Sequence, residues 1–319
     1  MNKLKKTFGL LLTLSFLFSL VNTYAMSNDD VYYEIEELTE EDFGEVYGLF
    51  DETANTFTAL SKNDIKSNGK LVQKVSKTMY IQTLPDGTER KLTVKDKALI
   101  DEYKTYIANS EMTGRSLPPE PISAVKNIYN LTLIVTVGEL WGSEYANEDG
   151  YMVVAEASWT KPGALTSNSE KAHLGDDCLY LSWGGSYDYT IENFKRTYTR
   201  MNGDSSDVKS NIGAVRNVNG TANQSRGWAF PETLKDGIVI GSNIDKWYYL
   251  SSLTTTVKLS KPSFGTGTTK LYLNYVHTYS ETTYNFSLGA GSDGLVSCTV
   301  TPTTSDKYWT DFAEITIKK

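Results

Sequence analysis

The chain has 319 residues, of which 39% are apolar and 22% charged, with 31 Lys and Arg against 39 Asp and Glu. This balance provides enough apolar material for a packed core and excludes low-complexity disorder, collagen and coiled coil. The net charge of −8 repels phosphate, so we expect no nucleic-acid partner. With only two His and two Cys, we expect no metal ion and no cofactor.

The first 25 residues have the three parts of a secretory signal. Three lysines among the first six residues precede an apolar run from Phe8 to Val21, and small residues follow. We expect cleavage between Ala25 and Met26, and therefore a secreted protein. An uncleaved anchor is the weaker alternative, because about 14 apolar residues fall short of the roughly 20 that span a membrane. We expect no stable membrane span.

A Pro-rich segment divides the rest of the chain. Residues 26–121 hold 19 acidic and 11 basic residues, whereas all six Trp come later. Prolines at 118, 119 and 121 interrupt both helix and strand, which predicts a linker over 118–122. It would join a small, acidic α+β region (26–117) to a β-sandwich domain (123–319). The acidic region is either a stably packed subdomain or a prosegment.

Local patterns give the acidic region a hairpin and a helix. The hairpin turns at Pro85-Asp86-Gly87. The helix is predicted from about Val94 to Ala108, where Thr93 and Asp96 stand at capping-box spacing.

The remainder of the chain is predicted to be mainly β. Eight segments are rich in β-branched and aromatic residues and are separated by turn residues; they are Tyr129–Val137, Met152–Trp159, Leu179–Trp183, Trp247–Leu259, Lys270–Thr278, Tyr284–Leu288, Leu295–Val300 and Glu314–Ile317. Such a series without helical periodicity favours an antiparallel β-sandwich.

Cys178 and Cys298 both lie in predicted strands. Outside the cell, an intramolecular disulfide between them is the preferred interpretation. Two buried thiols are the first alternative. A catalytic thiol would need a neighbouring imidazole, which only His173 or His277 can supply.

Carboxylates are the other candidate chemistry. Asp176, Asp177 and Glu156 could supply the carboxylate pair of a glycoside hydrolase, although solvated turn residues are the simpler interpretation. No acidic segment matches a calcium-binding loop. Residues 289–294 fit the G-x-G-x-x-G pattern, but a strand follows instead of the helix that a dinucleotide site requires. We therefore assign no catalytic residue.

Aromatic residues around a Gly-rich bend are the candidate ligand-binding residues. Trp183, Tyr187 and Tyr189 flank Gly184 and Gly185. Exposed rings of this kind stack on sugars or contact proteins, so a cell-wall glycan, a host glycan or a surface protein is the expected partner.

Two segments carry a resemblance to known proteins. They are Glu156–Pro162, which ends in Trp-Thr-Lys-Pro, and Asp177–Trp183, a strand that begins with Asp and ends with Trp. This pattern resembles exported β-rich proteins of Gram-positive bacteria, a group without an assigned activity. The resemblance implies an extracellular bacterial setting and no catalytic residue.

The sequence therefore favours an extracellular or cell-surface binding protein. A carboxylate-dependent glycan hydrolase is the first alternative, and a β-type pore-forming protein is the second. The alternating stretch from Thr266 to Thr301 could refold as a membrane hairpin, but Asn274, Thr278 and Glu281 interrupt its apolar face.

Overall fold

The computed structural model describes residues 30–318 except for sixteen short segments, which are 52–55, 61–67, 87, 113–124, 126, 141–149, 161–175, 184–188, 201–207, 211–215, 220–224, 237–245, 261–267, 279–283, 291–295 and 303–307. The predicted signal, its cleavage site at Ala25 and Met26, the Pro-rich segment and Tyr187 lie outside the described residues.

The described part of the N-terminal third contains five strands and two helices. In chain order they are β1 (Tyr33–Thr39), α1 (Glu40–Phe43), β2 (Tyr47–Asp51), β3 (Thr56–Ala59), β4 (Gly69–Thr83), β5 (Glu89–Lys91) and α2 (Lys97–Met112).

The secondary-structure elements in the described part of the remaining chain are all strands. They are β6 (Ile128–Leu140), β7 (Gly150–Thr160), β8 (Asp176–Trp183), β9 (Tyr189–Arg200), β10 (Val208–Ser210), β11 (Arg216–Asn219), β12 (Ser225–Pro231), β13 (Thr233–Asp236), β14 (Lys246–Ser260), β15 (Thr268–Thr278), β16 (Tyr284–Ala290), β17 (Val296–Pro302) and β18 (Tyr308–Lys318). The prediction of a mainly β chain is confirmed, and each predicted strand has a counterpart.

Two antiparallel sheets form the body of the protein. The larger has 11 strands in the order β10-β9-β14-β7-β6-β4-β2-β3, with β1 and β5 on β4 and β13 on β14. The smaller has five strands in the order β11-β12-β8-β15-β18. Alternate residues of each strand face the other sheet, because side chains in a strand alternate between its two faces.

The two sheets pack face to face around one core. Leu131, Leu133 and Val135 of β6 belong to the same buried cluster as Leu179 and Leu181 of β8. Residues of β4, β7, β9, β12, β14, β15 and β18 complete that cluster. The predicted antiparallel sandwich is therefore confirmed.

Helix α2 covers the outer face of the large sheet. Its residues Ile100 and Tyr103 are buried with Tyr80 and Ile128 of the sheet. A single 3₁₀ turn (Val94–Asp96) precedes the helix, so the predicted helix and its N-terminal cap are both present.

The large sheet continues across the predicted division of the chain. Strand β4, from the acidic region, pairs with β6 from Gly69 to Gln82. The first hundred residues therefore supply part of the sandwich itself.

Candidate functional site

A two-stranded hairpin is separate from both sheets. Strands β16 and β17 pair with each other, and neither belongs to the 11-stranded or the five-stranded sheet. Their register pairs apolar residues with apolar ones at Phe286–Val300 and Leu288–Cys298, and polar residues at Asn285–Thr301 and Ser287–Thr299. Because adjacent positions lie on opposite faces of a strand, this register predicts one apolar face and one face of small polar residues.

The hairpin sequence also lacks charge. Residues 282–292 and 294–305 contain no Asp, Glu, Lys, Arg or His, and Asp293 lies between the two runs. These runs of 11 and 12 residues stand out in a chain that is 22% charged.

A second candidate site lies inside the sandwich, around His277 of β15. The imidazole is fully buried, as are the side chains of Asp177 on β8 and Glu232 between β12 and β13. The carboxyl group of Glu89 on β5 is buried on the other side of the ring. Four separate segments therefore meet at one imidazole.

Each ring nitrogen of His277 lies against a carboxylate. Nε2 is 3.0 Å from Oε2 of Glu89, and Nδ1 is 3.1 Å from Oδ2 of Asp177. Nδ1 is also 3.9 Å from Oε2 of Glu232. The ring thus connects β5, in the 11-stranded sheet, to β8 in the five-stranded sheet.

Neighbouring groups hold these carboxylates in place. Glu89 accepts hydrogen bonds from the hydroxyl of Tyr129 at 2.6 Å and from the indole N–H of Trp309 at 3.0 Å. Asp177 accepts one from the backbone N–H of Thr278 at 2.9 Å and another from the hydroxyl of Tyr275.

Burial and charge act in opposite directions on the imidazole. Burial lowers the pKa of His277. The charges of Asp177, Glu89 and Glu232 raise it by more than burial lowers it, so the pKa lies well above its ordinary value. Burial likewise raises the pKa of Asp177, against the lowering effect of His277. Burial is also the largest cause of the raised pKa of Tyr275, which stays a neutral hydrogen-bond donor.

The same groups form a metal-type donor set. One donor atom from each of Asp177, Glu232 and His277 lies within 4.8 Å of the other two. All three side chains are inaccessible to solvent in this structure. The arrangement suits an ion or a proton rather than a polymeric substrate.

Two of the candidate catalytic carboxylates, Asp177 and Glu156, are not brought together. Asp177 faces the core, whereas Glu156 lies between the core residues Ala155 and Ala157 and therefore on the outer face of the other sheet. A glycoside hydrolase needs its two carboxyl groups on either side of one bond, no more than about 10 Å apart. Asp177 and Glu156 therefore do not form such a pair.

The predicted disulfide is not present among the described residues. Cys178 is a buried thiol, with Sγ 3.9 Å from the carbonyl oxygen of Leu179. It lies in the centre of the five-stranded sheet, whereas Cys298 belongs to the separate hairpin. The number of Cys residues and an oxidising compartment do not determine which strands adjoin.

The candidate ligand-binding residue Trp183 is not exposed in this structure. Its indole is fully buried in the main core, because Trp183 shares the inward face of β8 with Leu179 and Leu181. Tyr189 begins β9. Of the three predicted ligand-binding residues, Trp183 is therefore unavailable to an external ligand in this structure.

Two members of the His277 cluster were not predicted. Glu89 follows a hairpin turn and Glu232 follows a Pro, and neither stands in a recognisable motif. Only the pairing of distant strands brings them to His277.

No family model matches the chain, and no curated protein matches it. Among solved structures, it is similar to Clostridium perfringens delta-toxin, with 8% identity and a TM-score of 0.32 over 81% of this chain and 96% of the toxin. It is also similar to a pore-forming protein, with 6% identity and a TM-score of 0.26 over 77% of this chain and 95% of the other.

A third similarity is to a structure of manganese lipoxygenase of Gaeumannomyces graminis with part of zonadhesin of Komagataella pastoris. Its identity is 10% and its TM-score is 0.23, over 93% of this chain and 82% of the other. TM-scores this low do not establish a shared fold, and the argument for function comes from this chain's own residues.

No helix in the described part of the chain combines the length and the apolar character needed to cross a membrane.

Proposed function

We propose that the chain is a secreted β-type pore-forming protein that inserts the β16–β17 hairpin into a membrane. The observation that supports this proposal is the two-faced, uncharged character of that hairpin. A membrane strand alternates apolar residues toward lipid with polar residues toward a water-filled interior. The register of β16 and β17 follows that alternation along all seven of its residue pairs.

The length of the hairpin also supports insertion. A strand that crosses a membrane needs about 9–11 residues. Strands β16 and β17 have seven residues each, and the uncharged runs that contain them have 11 and 12. Modest extension of the existing strands would therefore reach the required length without burying a charge.

Three polar residues interrupt the apolar face of the stretch from Thr266 to Thr301, and all three lie outside this hairpin. Asn274 and Thr278 belong to β15, which pairs with both β8 and β18 inside the five-stranded sheet. Glu281 precedes β16. On insertion, β15 would stay in the sandwich, and only the hairpin would move into the membrane.

Release of a trapped dye from lipid vesicles tests the proposal. The purified chain is added to phosphatidylcholine vesicles, with and without cholesterol and with added phosphatidylglycerol. We expect dye release by the unchanged protein from at least one of these compositions. Absence of release from all of them would contradict the proposal.

A pair of adjacent substitutions identifies the hairpin as the inserting segment. Leu288→Asp places a charge on the apolar face, where a charged side chain that faces lipid destabilises a membrane strand. Ser287→Asp places the same charge on the polar face. We expect Leu288→Asp to lose most dye release and Ser287→Asp to retain it, with both variants folded by circular dichroism. Equal release by the two variants would show that this hairpin does not insert.

A further inference from the structure

We infer that Asp177, Glu232 and His277 form a binding site for one divalent transition-metal ion, with Glu89 as a positioning residue that orients the imidazole. This inference concerns the core of the sandwich and does not depend on the proposed membrane activity. It gives a chemical role to the His277 cluster, which takes no part in the proposed insertion of the hairpin.

The first support is the balance of charge. Three carboxyl groups, those of Asp177, Glu232 and Glu89, surround one imidazole, and all four side chains are inaccessible to solvent. Carboxyl groups gathered in a dry interior are costly unless they are paired or bind a metal. A divalent cation at Nδ1 would take the place of the imidazole proton as the positive charge among them.

The second support is the spacing of the donor atoms. A tetrahedral zinc ion bound at about 2 Å holds its ligand atoms roughly 3.3 Å apart. Nδ1 of His277 lies 3.1 Å from Asp177 Oδ2 and 3.9 Å from Glu232 Oε2. These two distances lie on either side of that spacing, and all three donor atoms lie within 4.8 Å of one another.

The third support is the group behind the imidazole. Metal-binding His residues commonly donate their second N–H to a carboxylate, which fixes the tautomer and the ring orientation. Nε2 of His277 lies 3.0 Å from Glu89 Oε2, and Tyr129 and Trp309 hold that carboxylate in place. Nδ1 hydrogen-bonds Asp177 Oδ2 in this structure. A metal ion would take the place of the proton at Nδ1, and a proton on Nε2 would then face Glu89.

The donor set indicates the class of metal. One imidazole nitrogen with two carboxylate oxygens suits zinc and related transition metals, whereas calcium and magnesium prefer oxygen ligands alone. Solvent does not reach the site in this structure, so the ion would stabilise the folded sandwich rather than act on a substrate.

Metal content and metal-dependent stability test the inference. The full chain is treated with a chelator under mildly denaturing conditions, refolded with or without zinc, dialysed and analysed for metal by mass spectrometry. We expect one zinc per chain and a higher unfolding temperature for the zinc-refolded protein. Cobalt in place of zinc should give visible absorption bands typical of a low-symmetry site. Calcium and magnesium should raise the unfolding temperature less.

Three variants and one control assign the ion to this site. Asp177→Asn and Glu232→Gln preserve side-chain size and should each abolish stoichiometric zinc and the temperature shift. Glu89→Gln should retain one zinc with roughly 10- to 100-fold weaker affinity, as expected for a positioning carboxylate. Glu156→Gln, which changes a carboxyl group on the outer face of the large sheet, should keep full zinc content.

Two results would overturn the inference. One is a protein without stoichiometric zinc, cobalt absorption or a metal-dependent shift, which would make the cluster an imidazolium held by its carboxylates. The other is zinc binding that persists in both Asp177→Asn and Glu232→Gln. If one of these variants does not fold, zinc content in the other variant and the cobalt spectrum of the unchanged protein decide whether the ion binds at this site. Loss of zinc binding with dye release intact, or the reverse, separates this inference from the pore proposal.

Discussion

The Nζ atom of Lys77 lies 2.6 Å from Oδ1 of Asp311, a residue 234 positions further along the chain. Lys91 lies 2.7 Å from the other carboxylate oxygen, which also accepts a hydrogen bond from the hydroxyl of Tyr33. The two ammonium groups donate as well to backbone carbonyl oxygens on either side of Asp311. Strands β1, β4 and β5 thus hold β18, an edge strand of the small sheet.

Removal of the Asp311 carboxylate should destabilise the fold strongly. Asp311→Asn leaves two largely buried ammonium groups without their counter-charge, so we expect the free energy of unfolding to fall by about 3–5 kcal/mol. The matched control is Asp101→Asn, which breaks the exposed pair between Lys97 and Asp101 at 3.2 Å and should cost less than about 1 kcal/mol. Urea denaturation measures both, and similar losses would contradict the expectation.

The same contacts predict that the sandwich needs the first hundred residues. A chain that begins at residue 118 lacks β4, the pairing partner of β6, as well as both lysines that bind Asp311. We expect such a chain to show no cooperative thermal unfolding by circular dichroism. Cooperative unfolding close to the temperature of the longer chain would instead support the prosegment interpretation.

Strands with an apolar pattern could be predicted from the sequence, and partly exposed ones could not. In β6, Leu131, Leu133 and Val135 alternate with partly exposed residues, and the alternation alone predicts a strand with one buried face. Strand β9 contains Glu192, Lys195 and Arg196 and lies near one end of the large sheet. Pairing with β14 stabilises β9, and the sequence of β9 shows little of the apolar alternation that predicts a strand.

The candidate sites show a similar division. The alternation in the hairpin was visible in the sequence, but its extent was not, because the pairing of β15 within a sheet determines where the hairpin begins. Asp177 and His277 were separate candidates in the sequence. Their meeting depends on the register in which Val276 pairs with Cys178, and strand registers between distant segments cannot be derived from local patterns.

Thiol labelling should distinguish a disulfide from two thiols. Cys178 is fully buried, so we expect an alkylating reagent to leave it unmodified in the native protein. In urea without a reductant, both Cys178 and Cys298 should become labelled, as measured by intact mass and peptide mapping. Labelling that requires prior reduction would contradict the structure and restore the disulfide prediction.

The cap of helix α2 should make stability depend on acid pH. Arg90 donates from both terminal guanidinium nitrogens to Asp96 at 3.0 Å, and the backbone N–H and hydroxyl of Thr93 donate to it at 2.9 Å. The hydrogen bond from Arg90 is the main cause that lowers the pKa of Asp96 from 3.8 to about 2. The folded protein therefore binds a proton at Asp96 less readily than the unfolded chain does.

The sign of the effect follows from that difference. A carboxyl group whose pKa is lowered by folding stabilises the protein fully above its unfolded pKa, and the stabilisation is lost as the pH falls through the folded pKa. For Asp96 this window runs from about 3.8 down to about 2. Asp96→Asn should therefore be less stable than the unchanged protein at neutral pH, and the difference should shrink as the pH falls through that window.

Thr93→Ala provides an intermediate case. It removes one hydroxyl donor to Asp96 but keeps the backbone N–H and Arg90, so part of the pKa lowering and part of the pH dependence should remain. The loss of such a capping side chain typically costs about 1 kcal/mol. Unfolding temperatures of the three proteins across the acid range measure the effect. A stability difference between Asp96→Asn and the unchanged protein that stays constant with pH would show that the Arg90–Asp96 pair does not contribute through its charge.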